Sequence, residues 1–130
     1  MALKPIKFDS GKVVNMKTQA TGTIAKWDGL DVSSGLLTRS TTSRPKFVAL
    51  ETGTTTGTST FIDVVPVTDE VYFEVDTGSN TAESQLGTKV VNTDHDTVDN
   101  TDTTNGYFLI TENVGAAANK KARGYFVYIS

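Results

Sequence analysis

The chain has 130 residues, no cysteine, one histidine and a formal net charge of −3, which fits one domain and excludes disulfide frameworks, cysteine-ligated zinc, iron–sulfur clusters and thiol catalysis. A pI of about 5.0 argues against a generic nucleic-acid binder. No run of ~18 apolar residues is present to span a membrane, and Met1 to Ser10 lacks the apolar stretch of ~7–15 residues that a secretion signal needs.

Residues Met1 to Ser10 read as an extended arm. Pro5 fixes one backbone angle and disfavours helix at Lys4, and Ile6 and Phe8 share one side of an extended segment, with Lys7 on the other. Residues 11–130 then read as a single β-rich domain. Threonine is the compositional outlier, with 22 copies against 14 valines and 11 glycines; β-branched residues lose rotamer freedom in helices and pack well on pleated sheets. Short apolar runs follow one another between turn signals: Lys12–Met16, Thr23–Trp27, Leu36–Arg39, Lys46–Glu51, Phe61–Val67, Glu70–Asp76, Thr88–Asn92, Tyr107–Glu112 and Arg123–Ile129. Val71, Phe73 and Val75 alternate with Tyr72, Glu74 and Asp76, and Tyr125, Val127 and Ile129 with Phe126 and Tyr128. This period of two marks antiparallel strands with one buried and one wetter face.

Thr52 to Thr60, almost entirely Thr, Gly and Ser, reads as a mobile surface loop. The Asp/Thr/Asn-rich stretch from Asn92 to Asn105 also reads as loop, and Asn105-Gly106 suits a type I′ turn. One helix of about two turns is expected from Asn80, where Glu83 has capping-box spacing and Gly87 supplies a left-handed end. No internal repeat is visible. The net charge is a near-cancellation: residues 1–50 carry +5, residues 51–118 carry −11, and Lys120, Lys121 and Arg123 add +3. Such asymmetry indicates a partner.

Candidate chemistry is sparse. Asp94-His95-Asp96, with Asp99 and Asp102, offers oxygens to calcium, but the EF-hand order is missing, and the run reads as a solvated acidic loop. The histidine has no nucleophile elbow beside it, no phosphate-cradling loop is present, and paired-carboxylate chemistry lacks a deep cleft in so small a β domain. The expectation is therefore a protein with no enzymatic activity, no metal and no cofactor. Trp27 reads as a structural aromatic, with a sugar-stacking platform as the alternative. In the arm, Leu3, Ile6 and Phe8 suit strand addition to a protein neighbour.

The layout of arm, many short β runs, one short helix and a final apolar strand resembles the head decoration proteins of tailed bacteriophages. The likeness is closest over Val64 to Val90, where Val71-Tyr72-Phe73-Glu74-Val75 leads into Ala82-Glu83-Ser84-Gln85-Leu86-Gly87-Thr88-Lys89-Val90, and in the terminal Gly124-Tyr125-Phe126-Val127-Tyr128-Ile129. The resemblance implies a mainly-β fold, a β-tulip or small open β-barrel with one short helix. It implies a non-enzymatic structural protein of the virion that sits on the capsid exterior, assembles in the host cytoplasm, often forms trimers, and binds neither nucleic acid nor membrane. Leu3, Lys4, Pro5, Ile6, Lys7 and Phe8 would contact the major capsid protein. The rivals are another phage structural subunit, of a tail tube or head-fibre base, and a small carbohydrate-binding β module.

Overall fold

The computed structural model describes residues 1–127 and is mainly β. The strands are β1 (Leu3–Lys7), β2 (Val14–Lys17), β3 (Thr21–Ile24), β4 (Gly29–Ser33), β5 (Leu36–Arg39), β6 (Phe47–Ala49) and β7 (Gly53–Thr56). They continue with β8 (Phe61–Pro66), β9 (Tyr72–Asp76), β10 (Lys89–Asp94), β11 (Thr97–Asp99), β12 (Phe108–Asn113) and β13 (Lys121–Phe126). Every pairing between these strands is antiparallel. Tyr128 and Ile129, the end of the last predicted run, lie outside the described residues. No helix among the described residues is long and apolar enough to cross a membrane.

Four expectations require correction. The segment from Asn80 forms one 3-10 turn, Glu83–Gln85, rather than a two-turn helix, and the other two helical pieces, Ser10–Lys12 and Ala117–Asn119, are equally short. Gln85 does reach back to the Ala82 N–H at 3.2 Å, but Leu86 is already extended and Gly87 gives its N–H to the Ile110 carbonyl at 2.8 Å, so pairing with β12 outcompetes further helix. Much of Thr52–Thr60 is ordered, because Gly53–Thr56 pairs with Thr21–Ile24 as a two-stranded ribbon. Asn92 to Asn105 contains the β10–β11 hairpin. At Asn105-Gly106 only Asn105 has a positive φ, of 53°; Gly106 is needed because a Cβ there would overlap the Lys89 carbonyl.

The chain contains a structural repeat that the sequence does not display. The five-stranded sheet runs β2-β8-β6-β4-β5, and five neighbours in the six-stranded sheet run β9-β13-β12-β10-β11. Taken in chain order, both sheets place the first strand beside the fifth, then the fourth, second and third. The registers correspond at a displacement of about 60 residues: Val14↔Val64 answers Phe73↔Gly124, Leu30↔Phe47 answers Val90↔Phe108, and Phe47↔Pro66 answers Phe108↔Phe126. Each sheet curls until the residue that follows its first strand meets the third strand through one parallel bridge, Thr18↔Leu37 in the first half and Thr77↔Val98 in the second. Loop hydrogen bonds match as well: Lys46 N–H to Leu30 O answers Tyr107 N–H to Val90 O, and Val67 N–H to Lys46 O answers Val127 N–H to Tyr107 O. Even the left-handed backbone is shared, with φ of 75° at Trp27 and 82° at Gly87.

Packing follows from the curl. The first half encloses Ile24, Leu30, Leu37, Ala49, Ile62 and Val64, with Ile24 contributed by the β3–β7 ribbon. The second half encloses Phe73, Val75, Val90, Phe108, Ile110, Ala122 and Phe126, and Val48 and Val65 of the first half belong to the same cluster. Strand alternation sets Val48 against Ala49 on β6, so the outer face of the first sheet supplies Val48 to the larger core. Fully burying one such side chain stabilises by about 1.5–3 kcal/mol, and the junction between halves is thereby a core in its own right.

Candidate functional site

The predicted arm is extended, but it is laid down as β1 on the edge of the six-stranded sheet, paired with β9. Leu3 is fully buried in the larger core and Pro5 is buried as well, while Lys4 and Lys7 are exposed and Ile6 and Phe8 are half-buried. The Leu3 N–H turns away from β9 and donates to the Trp27 carbonyl at 3.1 Å, whereas the Asp76 N–H donates to the Ala2 carbonyl. By alternation the Pro5 nitrogen, which has no hydrogen to donate, also faces the outer edge, where no ladder bond is lost. That edge is thus blunted against another strand, as edges of stable sheets usually are, and recognition falls to the side chains of the sheet face.

The outward face of the six-stranded sheet is chemically distinctive. An open concavity of about 390 Å³ is bordered by Ile6, Lys7, Tyr72, Thr111, Glu112, Arg123 and Tyr125. The Tyr72 and Tyr125 rings meet with centroids 4.9 Å apart and tilted by 54°, and the Tyr72 hydroxyl is 3.0 Å from Thr111 Oγ1. Arg123 reaches Glu74 at 3.2 Å and Glu112 at 3.5 Å, and Lys121 reaches Asp76 at 2.6 Å. These partners hold the cations' charge: the hydrogen bond to Asp76 raises the Lys121 pKa and the one to Glu74 raises that of Arg123, each against the opposing effect of desolvation. Partly exposed Tyr and Arg around an aliphatic residue is the composition of an interaction hot spot.

The repeat gives this face its significance. Tyr125 and Leu109 occupy the positions that Val65 and Val48 hold in the first half, as Leu109↔Tyr125 answers Val48↔Val65. Val48 and Val65 are fully buried against the second half, and their counterparts are partly open to solvent. Among the described residues the same sheet position is covered in the first half and partly open in the second. Protein-family models, curated proteins and solved structures yield no match to this chain.

The remaining candidates lie elsewhere. Trp27 is half-buried against the larger core, its N–H donates to the Ala49 carbonyl at 2.8 Å, and Lys26 Nζ sits 4.6 Å from its ring centroid. One ring face therefore already carries a cation, and a stacking sugar would have to displace it. His95 is not in a solvated loop: it sits in the tight β10–β11 turn, with Nε2 3.7 Å from Asp28 Oδ1 and 3.7 Å from Asp96 Oδ2. Burial pushes the Asp28 carboxyl above its ordinary pKa, although the Ala25 N–H and the nearby His95 and Arg39 pull the other way. Nothing in the sequence joins Asp28 to His95, which are brought together only by the contact between halves. The tyrosine face, by contrast, was signalled: alternation places Tyr72 and Tyr125 opposite Phe73 and Phe126.

Proposed function

We propose that this chain is a non-enzymatic structural protein of a virion that binds the outer surface of a phage capsid and stabilises the head. The observation that supports the reading is the open sheet face of Ile6, Leu109, Tyr72 and Tyr125, where Leu109 and Tyr125 answer the buried Val48 and Val65 of the first half. An apolar and aromatic surface rimmed by Lys7, Arg123 and Glu112 suits a protein partner, and on this reading the partner is the major capsid protein. The expected segment Leu3 to Phe8 divides into two roles: Leu3 and Pro5 anchor the strand, and Lys4, Ile6, Lys7 and Phe8 remain for contact. The basic residues of the strand suit an acidic shell, with steering over a Debye length of ~8 Å. The proposal includes a place on the capsid exterior and a trimeric state.

The test is co-sedimentation with undecorated, expanded phage heads. Removing residues 1–10 is a poor probe, because Leu3 belongs to the core. Ile6→Glu and Tyr125→Ala are expected to abolish pelleting with heads while leaving the melting profile close to that of the parent. A parent protein that stays in the supernatant, or a double variant that pellets as well as the parent, overturns the reading. A second reading, as a subunit of a phage tail tube or head-fibre base, is favoured by the head-to-tail character of the repeat, since a further copy would continue the stack. Rings or fibres of the protein alone, seen by negative-stain microscopy, would select it; a discrete trimer by mass would select decoration.

A further inference from the structure

We propose that Asp28, His95 and Asp96 form a divalent-cation site, suited to zinc, that ties the two halves of the chain together. Asp28 precedes β4 in the first half, and His95 and Asp96 form the β10–β11 turn of the second. One ligand atom from each residue lies within 4.8 Å of the others. The two carboxylates are already oriented. Asp28 Oδ2 accepts the Ala25 N–H at 2.8 Å, and Asp96 Oδ1 accepts the Thr97 hydroxyl at 2.9 Å. Their other oxygens, Asp28 Oδ1 and Asp96 Oδ2, both stand 3.7 Å from His95 Nε2. That is too long for a hydrogen bond, yet near the separation of about 3.3–3.6 Å between ligands of a tetrahedral zinc with bonds of ~2.0–2.2 Å. Holding one carboxylate oxygen by a neighbouring donor while the other faces inward is how supporting residues orient metal ligands.

Two further observations point the same way. Arg39 Nη1 lies 3.4 Å from His95 Nε2; a guanidinium has no lone pair to offer, so in this contact Nε2 is the acceptor and carries the lone pair that a metal ligand needs. Arg39 is exposed and free to leave, and the Met1 ammonium stands 3.9 Å from Asp96 Oδ2; these are the cations that a metal would replace. Beside them, Ser40 Oγ is buried with no hydrogen-bond partner among the described residues. It stands in the same seam, since a Cβ on Gly29 would lie 2.8 Å from Ser40 Oγ and 3.0 Å from the His95 carbonyl. A water completes the fourth position of a three-ligand zinc. The nitrogen ligand and the small ligand number favour zinc over calcium, which takes six to eight oxygens.

The test titrates chelator-treated protein with zinc chloride by calorimetry and by thermal melting. One equivalent is expected to bind, and at a hundredfold excess over the dissociation constant the melting temperature rises on the order of 10 °C. Calcium chloride at the same concentration is expected to shift it little. His95→Gln removes the zinc effect, and Asp96→Asn, at a partly exposed position, weakens binding at least tenfold without reliance on the buried Asp28. Arg39→Ala tightens binding several-fold, a gain that a purely structural arginine would not produce. No zinc-dependent shift in the parent, or equal shifts in parent and His95→Gln, overturns the proposal. Neither outcome bears on capsid binding, which is read from sedimentation of the metal-free protein.

Discussion

Removing the hydroxyl of Tyr107 separates two effects of one buried group. Tyr107 is 3% exposed; its oxygen accepts the Asn92 N–H at 2.8 Å and donates to the Thr42 carbonyl at 2.7 Å, and its ring stacks on Phe126 at 6.2 Å. Tyr107→Phe keeps the ring and leaves the N–H of Asn92, a residue 1% exposed, without a partner. An orphaned buried donor costs about 1–3 kcal/mol, while the Thr42 carbonyl, on an exposed residue, finds water. With a urea slope of ~1–3 kcal/mol/M, the unfolding midpoint falls by roughly 1 M and the slope is unchanged. Burial also pushes the phenol pKa from 10.0 to about 12. The folded chain therefore holds this proton after the unfolded chain has lost it, so the native state loses stability as pH rises from the unfolded value to the folded one, by a total on the order of 2–3 kcal/mol. The parent is expected to show that alkaline loss, and Tyr107→Phe to lack it. A variant with the parent's midpoint, or with an alkaline loss as large as the parent's, would refute the reasoning.

Three further substitutions probe the frame. Phe126→Ala empties a position where Phe73 and Phe108 rings meet Phe126 at 5.0 and 4.9 Å; calorimetry should show a loss of about 3–5 kcal/mol. Gly87→Ala meets no atom within 4 Å, so its cost is the left-handed backbone alone, about 1–2 kcal/mol in chemical denaturation. Lys121→Met removes the bridge to Asp76; with the lysine side chain 42% exposed, the loss should be within ~1 kcal/mol and shrink in high salt. Because the partner raises the Lys121 pKa, its contribution is present at neutral pH and fades only as pH climbs through the folded value.

The fold class was readable wherever one face of a strand is wet. Val71, Phe73 and Val75 are buried as their alternation requires, and Leu36–Arg39 carries its predicted bounds. Strands without a clear apolar rhythm stayed hidden: Gly53–Thr56 is nearly all threonine, and Thr97–Asp99 holds one apolar residue, so tertiary pairing rather than propensity makes them strands. The repeat was invisible for a related reason. Matching positions share a register but not a side chain, as with Trp27 and Gly87 or Pro66 and Phe126, and backbone hydrogen bonds leave no trace in composition. The alternation that sets Tyr72 opposite Phe73 and Tyr125 opposite Phe126 was legible, but contact was expected at Leu3 to Phe8 alone, and the two tyrosines meet only through the pairing of β9 with β13. The seam at Asp28 was not legible, since its members lie far apart in sequence and meet only through the packing of one half on the other.

The strand order has a consequence for synthesis. In each half the first strand waits for the last, so neither curled sheet closes until its fifth strand has emerged. Once Val67 leaves the ribosome, every pairing of the first sheet is available, whereas the residues that cover Val48 and Val65 are still to be made. Domains released early fold early, and uncovered apolar surface at that stage invites association. For part of its synthesis the first half thus presents to solvent the face whose counterpart in the second half, at Leu109 and Tyr125, stays partly open in the folded chain. A chaperone that shields Val48 and Val65 in the nascent chain would therefore meet a second surface of the same sheet position at Leu109 and Tyr125.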